Sequence, residues 1–130
     1  MKLTFEEAIE NHKKMWNWIA DETLNRKKTV TKSDYFKENN IEECYNYCFC
    51  CQYATDNSDI TQLGLEMKNC MICPIDWCKI VGNYDECQCF EHNTPYDWWI
   101  DACDLKEWKI AAKYARQIAN LPLRQEHTKC

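Results

Sequence analysis

Glycine, proline and long apolar runs are all scarce in this chain of 130 residues, and each scarcity excludes a class of structure. Glycine occurs only as Gly64 and Gly82, and proline occurs at three positions. Sheet-rich folds normally place glycine at their tight turns, so its shortage favours helices. No apolar run approaches the roughly 18 residues of a membrane span, and the charged N-terminal segment lacks the apolar core of a signal peptide. The sequence therefore predicts a mainly α-helical protein of the cytoplasm, with no part in a membrane.

Charge of one sign is also limited, because 16 Lys and Arg residues oppose 21 Asp and Glu residues and leave a net charge of -5. This mild acidity keeps the chain soluble and works against broad, non-specific binding to nucleic acid. The densest basic cluster consists of Arg26, Lys27 and Lys28, and Lys32 follows it. A solvated helix end is the simpler interpretation of this cluster. A nucleic-acid-binding regulator that uses the cluster is the alternative.

The length of the chain fits one domain, and its first part, about residues 4–43, has the pattern of helices. Thr4 and Glu7 have the spacing of a capping box, in which each side chain bonds to the backbone N–H of the other residue. Apolar residues then recur at steps of three and four, which predicts an amphipathic helix over about residues 5–27. A short second helix, capped near Ser33, is expected to follow.

The last part of the domain, about residues 95–122, is predicted to be helical as well. Asp104 and Glu107 have the spacing of a second capping box, and an apolar stripe of Trp, Ala and Ile follows them. Pro122 prevents this helix from continuing. Residues 44–94 are left between the two helical parts, and they contain nine of the 11 cysteines.

The spacing of the cysteines in this middle part favours a metal over disulfides. Thiols stay reduced in the cytosol, and an odd number of cysteines leaves one unpaired in any disulfide scheme. A helix over about residues 41–54 is expected to carry the first of two CxxC pairs near its end. The 18 residues between the pairs are within the usual spacing of a zinc site. The two pairs are Cys48, Cys51, Cys70 and Cys73.

A tetrahedral zinc ion accepts four thiolate ligands, and two tight turns that each contribute a CxxC pair can supply them. Four thiolates fill the coordination shell, so the zinc-binding core over residues 44–94 is predicted to be structural and not catalytic. Cys50 can replace Cys48 or Cys51, because the CFCC stretch offers three thiols. The alternative for all these thiols is burial as small apolar side chains.

A second, less regular group of ligands lies further along the middle part, and ordinary packing of its thiols is the alternative. No HExxH-like pattern occurs, and no cysteine motif singles out a histidine partner for nucleophilic catalysis. We therefore expect a binding protein with structural zinc and no enzyme activity. The possible second metal site comprises Cys78, Cys87, Cys89 and His92.

Closely spaced tryptophans suggest a binding surface. Neighbouring side chains on a helix cannot all face one core, so Trp18 and one of Trp98 and Trp99 are expected to be partly exposed. Exposed aromatic side chains are favoured as anchors of protein interfaces and for stacking on nucleotide bases, whereas packing in the core is the alternative. The candidate partner-binding residues are Trp18, Trp98, Trp99, Arg26, Lys27 and Lys28.

Three further stretches of the chain are HKKMWNWIADET, CFCCQYA…CMICPIDW and AAKYARQIANLPL. In this order, and over most of the chain, they resemble a group of small cysteine-rich proteins encoded by phages and prophages of low-GC Gram-positive bacteria. The resemblance implies a phage setting and the same zinc site, but no activity. Small non-enzymatic phage proteins often block host defence proteins or sequester nucleotide signals. The setting therefore predicts an inhibitor of a bacterial anti-phage defence system, and a homo-oligomer is compatible with it.

Overall fold

The structure is a computed structural model that describes residues 3–44, 47–57, 73–75 and 94–123. Helices dominate these residues, in which an isolated antiparallel bridge between Ile75 and Leu123 is the only β-pairing. The predicted mainly α-helical class is therefore confirmed. None of the described helices combines the length and the apolarity that crossing a membrane requires. The helices of the described part are α1 (Phe5–Arg26), α2 (Lys32–Glu38), α3 (Phe49–Asn57), α4 (Pro95–Asp104) and α5 (Trp108–Ala119).

The first helix begins where the capping box predicts. The hydroxyl of Thr4 accepts a hydrogen bond from the backbone N–H of Glu7 at 3.1 Å, and the Glu7 carboxylate accepts one from the N–H of Thr4 at 2.9 Å. These two bonds satisfy backbone donors that the start of a helix leaves without partners. The helix ends at Arg26 because Lys27 adopts a left-handed conformation with φ of 54°.

The predicted cap of the second helix at Ser33 is wrong, because α2 begins two residues earlier. The hydroxyl of Thr31 accepts from the N–H of Asp34 at 3.2 Å, and the Asp34 carboxylate accepts from the N–H of Thr31 at 2.9 Å. An acidic residue three positions after Thr31 makes this reciprocal pair possible. Ser33 is consequently placed inside the first turn of the helix.

The predicted capping box of Asp104 and Glu107 is also wrong. Asp104 is the last residue of α4, and Glu107 precedes α5 without a hydrogen bond from its side chain to the helix. Between them Lys106 has a positive φ of 58°, and the N–H of Glu107 donates to the carbonyl of Ala102 at 2.9 Å. The spacing predicted a helix start, but these residues form the tight turn that ends α4.

The helix that was predicted over residues 41–54 is shorter than expected, because α3 begins only at Phe49. The N–H of Ile41 closes the end of α2 by donating to the carbonyl of Phe36 at 3.0 Å. Tyr47 then has a positive φ of 50°, which is incompatible with a continuous helix. The first cysteine pair therefore lies at the start of a helix, where Cys48 comes directly before α3, and not near a helix end.

The described helices share one hydrophobic core around α1, which packs against α2, α3 and α5, whereas α4 packs against α5. The buried side of α1 carries Met15, Trp16 and Ile19, each at most 3% exposed. The facing side of α5 is built mainly from small residues, which allow two helix axes to approach closely. These residues of α5 are Ala111, Ala112, Ala115 and Ala119.

An aromatic cluster connects this core to the cysteine pair. The rings of Phe36 in α2 and Phe49 in α3 lie 5.3 Å apart, and the ring of Tyr35 packs edge-on against both of them. Phe49 follows Cys48 directly in the chain. Burial of Phe49 therefore fixes the position of Cys48 relative to α2, since a buried aromatic side chain contributes a large apolar area.

Candidate metal centre

Cys48 and Cys51 form a compact turn at the start of α3. The backbone N–H of Cys51 donates to the sulfur of Cys48, with 3.1 Å between nitrogen and sulfur, and the N–H of Cys50 stabilises the same sulfur. These N–H groups belong to the first turn of the helix, where the helix dipole also favours negative charge. Backbone donors aimed at a sulfur favour the thiolate over the thiol. The local fold thus favours the thiolate form of Cys48.

The acidity of Cys48 is consistent with this geometry. The pKa of Cys48 is lowered from 9.0 to about 7, first of all by a hydrogen bond from the Cys51 side chain, although burial acts in the opposite direction. The positive charge of Lys32 and the two backbone N–H groups contribute to the same lowering. Metals bind the thiolate form of cysteine, so a depressed pKa favours metal binding near neutral pH.

Lys32 and Tyr96 stand beside this turn. The ammonium of Lys32 donates to the phenol oxygen of Tyr96 at 2.8 Å and lies 4.9 Å from the centre of its ring. Burial tends to lower the pKa of Lys32, but Tyr96 and the two sulfurs of Cys48 and Cys51 outweigh that effect and raise it. The group is therefore a cation held next to a pair of thiols. No sequence pattern indicates that Tyr96, which is 64 positions away, is the partner of Lys32.

Cys50 and Cys73 form a second pair of thiols. Cys50 is 1% exposed and Cys73 is 5% exposed. A hydrogen bond between their side chains raises the pKa of Cys50 well above its usual value, and burial and the nearby sulfurs act in the same direction. Cys73 belongs to a short segment that the bridge of Ile75 to Leu123 holds against the chain after α5. The structure thus brings one member of the second CxxC pair to the CFCC stretch.

Cys70 lies outside the described residues, and so do the four members of the possible second site, Cys78, Cys87, Cys89 and His92. Within residues 3–44, 47–57, 73–75 and 94–123, no three side chains of His, Cys, Asp or Glu converge on one point. Around the start of α3, the side chains that interact with one another are the thiols of Cys48 and Cys51 and those of Cys50 and Cys73. Soft thiolate donors suit Zn²⁺ and do not suit Mg²⁺ or Ca²⁺, so the chemistry of the donor set fits zinc.

The other described cysteines differ from this group. Cys44 interacts electrostatically with Cys48, and burial raises its pKa to about 11. Cys103 is in α4, and burial raises its pKa to about 11 as well. Backbone N–H groups of Cys44 and Cys48 act on the Cys44 sulfur in the opposite direction, but burial outweighs them. None of the six described cysteines forms a disulfide.

The basic cluster predicted as a binding surface is partly neutralised. The guanidinium of Arg26 donates to the Glu38 carboxylate at 2.8 Å and to the Glu22 carboxylate at 2.9 Å. Lys27 and Lys28 are exposed beyond the end of α1. Because two carboxylates offset the charge of Arg26, the positive patch is weaker than the sequence suggests.

The predicted tryptophans have different environments. Trp99 is 5% exposed and packs edge-on against Trp16 with 4.8 Å between ring centres, so its ring belongs to the core. Trp98 is only half-buried and lies 5.5 Å from the ring of Tyr114. Trp18 is also half-buried, between Tyr35 and the guanidinium of Arg26. Trp18 and Trp98 are therefore the two members of the set whose rings reach the surface.

The chain was also compared with known proteins. Neither a protein-family model, nor a curated protein, nor a solved structure gives a significant match. The features of the chain that bear on its function are accordingly the thiol turn at Cys48 and Cys51, the cation of Lys32 and the two half-buried tryptophans.

Proposed function

We propose that this chain is a non-enzymatic binding protein whose fold is stabilised by a structural zinc ion held by Cys48, Cys51, Cys70 and Cys73. The observation that carries the proposal is the turn before α3, where two backbone N–H groups point at the sulfur of Cys48. A CxxC turn of this kind presents two sulfurs to one point, and a second CxxC pair completes a tetrahedron. Four thiolates leave no coordination position for water, which is why the zinc has a structural and not a catalytic role.

The environment of His12 supports the proposal of a non-enzymatic protein. His12 is buried against α5, where its Nε2–H donates to the carbonyl of Ile118 at 3.0 Å. A histidine that is buried and used in this way is not placed to act as a general base on an external substrate. Its contribution is to hold α1 against α5.

The half-buried rings of Trp18 and Trp98 supply the binding surface of the proposal. Aromatic side chains with one exposed edge are frequent anchors of protein interfaces. Together with the phage resemblance, they lead us to propose an inhibitor of a bacterial anti-phage defence system that acts in the host cytosol. Its partner would be a host defence protein or a nucleotide signal.

Metal analysis of the reduced, full-length protein tests the zinc site. Native mass spectrometry should find zinc bound to the wild type, and Cys48→Ser should lose one zinc ion per chain. Cys103→Ser is the matched control, because Cys103 is a half-buried thiol outside the cysteine turn, and this variant should keep its zinc. Wild-type protein that is fully folded without any metal would contradict the proposed zinc site.

A binding experiment tests the proposed partner class. Immobilised wild type and Trp98→Ala are exposed to host extract, to cyclic nucleotides and to DNA, with Lys37→Ala as the control at an exposed position of α2. Retention of a defence protein or a nucleotide by wild type and Lys37→Ala, but not by Trp98→Ala, is the expected result. Salt-sensitive retention of DNA alone would instead favour the nucleic-acid-binding alternative.

A further inference from the structure

The proposed zinc site would carry a net negative charge, which requires a counter-charge from the chain. Four thiolates carry more negative charge than one Zn²⁺ ion can balance, and a partly buried excess of charge is costly unless a counter-charge lies close. Residues that lie behind metal ligands commonly provide such compensation. A positively charged side chain next to the thiols is therefore a candidate for this charge compensation.

Lys32 meets this requirement by its position. It is the first residue of α2, and its ammonium interacts electrostatically with both Cys48 and Cys51. The ammonium is fixed rather than freely extended, because it donates to the phenol oxygen of Tyr96 at 2.8 Å in a partly buried environment. A charge acts more strongly on its neighbours where water is partly excluded.

Tyr96 is itself held by the core. Its ring stacks on Trp99 with 6.0 Å between ring centres and meets Trp16 edge-on at 6.1 Å. These contacts restrict the phenol oxygen to one position. Tyr96 thereby connects the packing of α1 and α4 to the place where the ammonium of Lys32 lies.

We propose that Lys32, oriented by Tyr96, is a positioning residue that balances the negative charge of the thiolates of Cys48 and Cys51 and so raises the affinity of the site for zinc. This inference rests on the proposed zinc site. Lys32 does not touch the metal in this proposal, because an ammonium has no lone pair to donate. It acts through the two sulfurs.

Zinc affinity measured by competition with a chelator, on the reduced full-length protein, tests this role. Lys32→Met keeps most of the apolar stem but removes the charge. It should weaken zinc binding about 10-fold or more, because mutation of a residue that supports metal ligands commonly has an effect of this size. Lys32→Arg keeps the charge and should restore most of the affinity. Tyr96→Phe removes only the phenol oxygen and should cause a smaller loss. Lys37→Met, on the exposed side of the same helix, is the control and should bind zinc like the wild type.

The possible results distinguish a failure of the proposed role of Lys32 from a failure of the proposed zinc site. Zinc binding by Lys32→Met with wild-type affinity would overturn the role of Lys32 and leave the zinc site standing. Equal losses in Lys32→Met and Lys32→Arg would also overturn it, since they would show that shape and not charge matters. A wild type that binds no zinc would overturn both the zinc site and this inference. Circular dichroism at saturating zinc shows whether each variant folds, and Lys32→Arg and Tyr96→Phe keep the test valid if Lys32→Met does not.

Discussion

His12 should make the stability of this fold strongly dependent on pH. Its ring is buried in α1, and its Nε2–H donates to the carbonyl of Ile118 in α5 at 3.0 Å. Burial lowers the pKa of His12 from 6.5 to about 4; the hydrogen bond opposes this shift, and the charge of Lys13 adds to it. The folded protein therefore holds His12 in its neutral form well below the pH at which an exposed histidine takes up a proton.

The sign and the size of the effect follow from the two pKa values. The unfolded chain binds a proton near pH 6.5, whereas the folded chain does so only near pH 4, so acid favours the unfolded state between these values. The contribution of neutral His12 to stability is complete above the unfolded pKa and is lost as the pH falls towards the folded one. Between about pH 7 and about pH 5, the loss amounts to about 2 kcal/mol of the free energy of unfolding.

Urea unfolding at about pH 7 and about pH 5 measures this loss. The matched variant is His12→Gln, because the Gln amide can donate to the carbonyl of Ile118 but does not titrate. Wild type should lose about 2 kcal/mol more than the variant between the two pH values. Protonation of carboxylates and release of the proposed zinc ion affect both proteins alike and cancel in the comparison. Equal losses in the two proteins would refute the assignment of a buried, neutral histidine.

The remaining predictions concern the helix cap and the aromatic cluster, and both are measured by urea unfolding at neutral pH. Thr4→Ala removes the hydroxyl that accepts from the N–H of Glu7 and should cost about 1 kcal/mol; a Thr4→Ser variant should be nearly unaffected, and equal losses in both would contradict the cap. Phe36→Ala opens a cavity beside Phe49 and should cost about 3–5 kcal/mol. Phe5→Ala, at a half-buried site, should cost clearly less, and the reverse order would contradict the position of the core.

The sequence predicted best what depends on neighbours along the chain. The capping box of Thr4 and the periodic apolar residues after it define α1 almost to the residue, because the hydrogen bonds and the buried stripe are both local. Asp104 and Glu107 show the limit of this reasoning. The same spacing occurs where one helix ends and the next begins, and only the packing of α4 against α5 decides between the two.

The candidate site was only partly predictable for a related reason. The spacing of Cys48 and Cys51 identified the first thiol pair, since two residues between cysteines set a local turn. The start of α3 at Phe49 depends on the burial of that ring against α2, which no local pattern reveals. The approach of Lys32 to Tyr96 joins two helices that are far apart in the chain, so it emerges only once the core has formed.

The packing of α1 against α5 has a consequence for how the protein is made. The ribosome completes α1 long before it adds α5, and the side of α1 that packs against α5 stays uncovered until then. Contacts between distant parts of a chain slow folding, and the intermediates that form before these contacts are prone to aggregate. A nascent chain that stops before α4 would leave Trp16 without the rings of Tyr96 and Trp99, and it would be a ready substrate for chaperones and proteases.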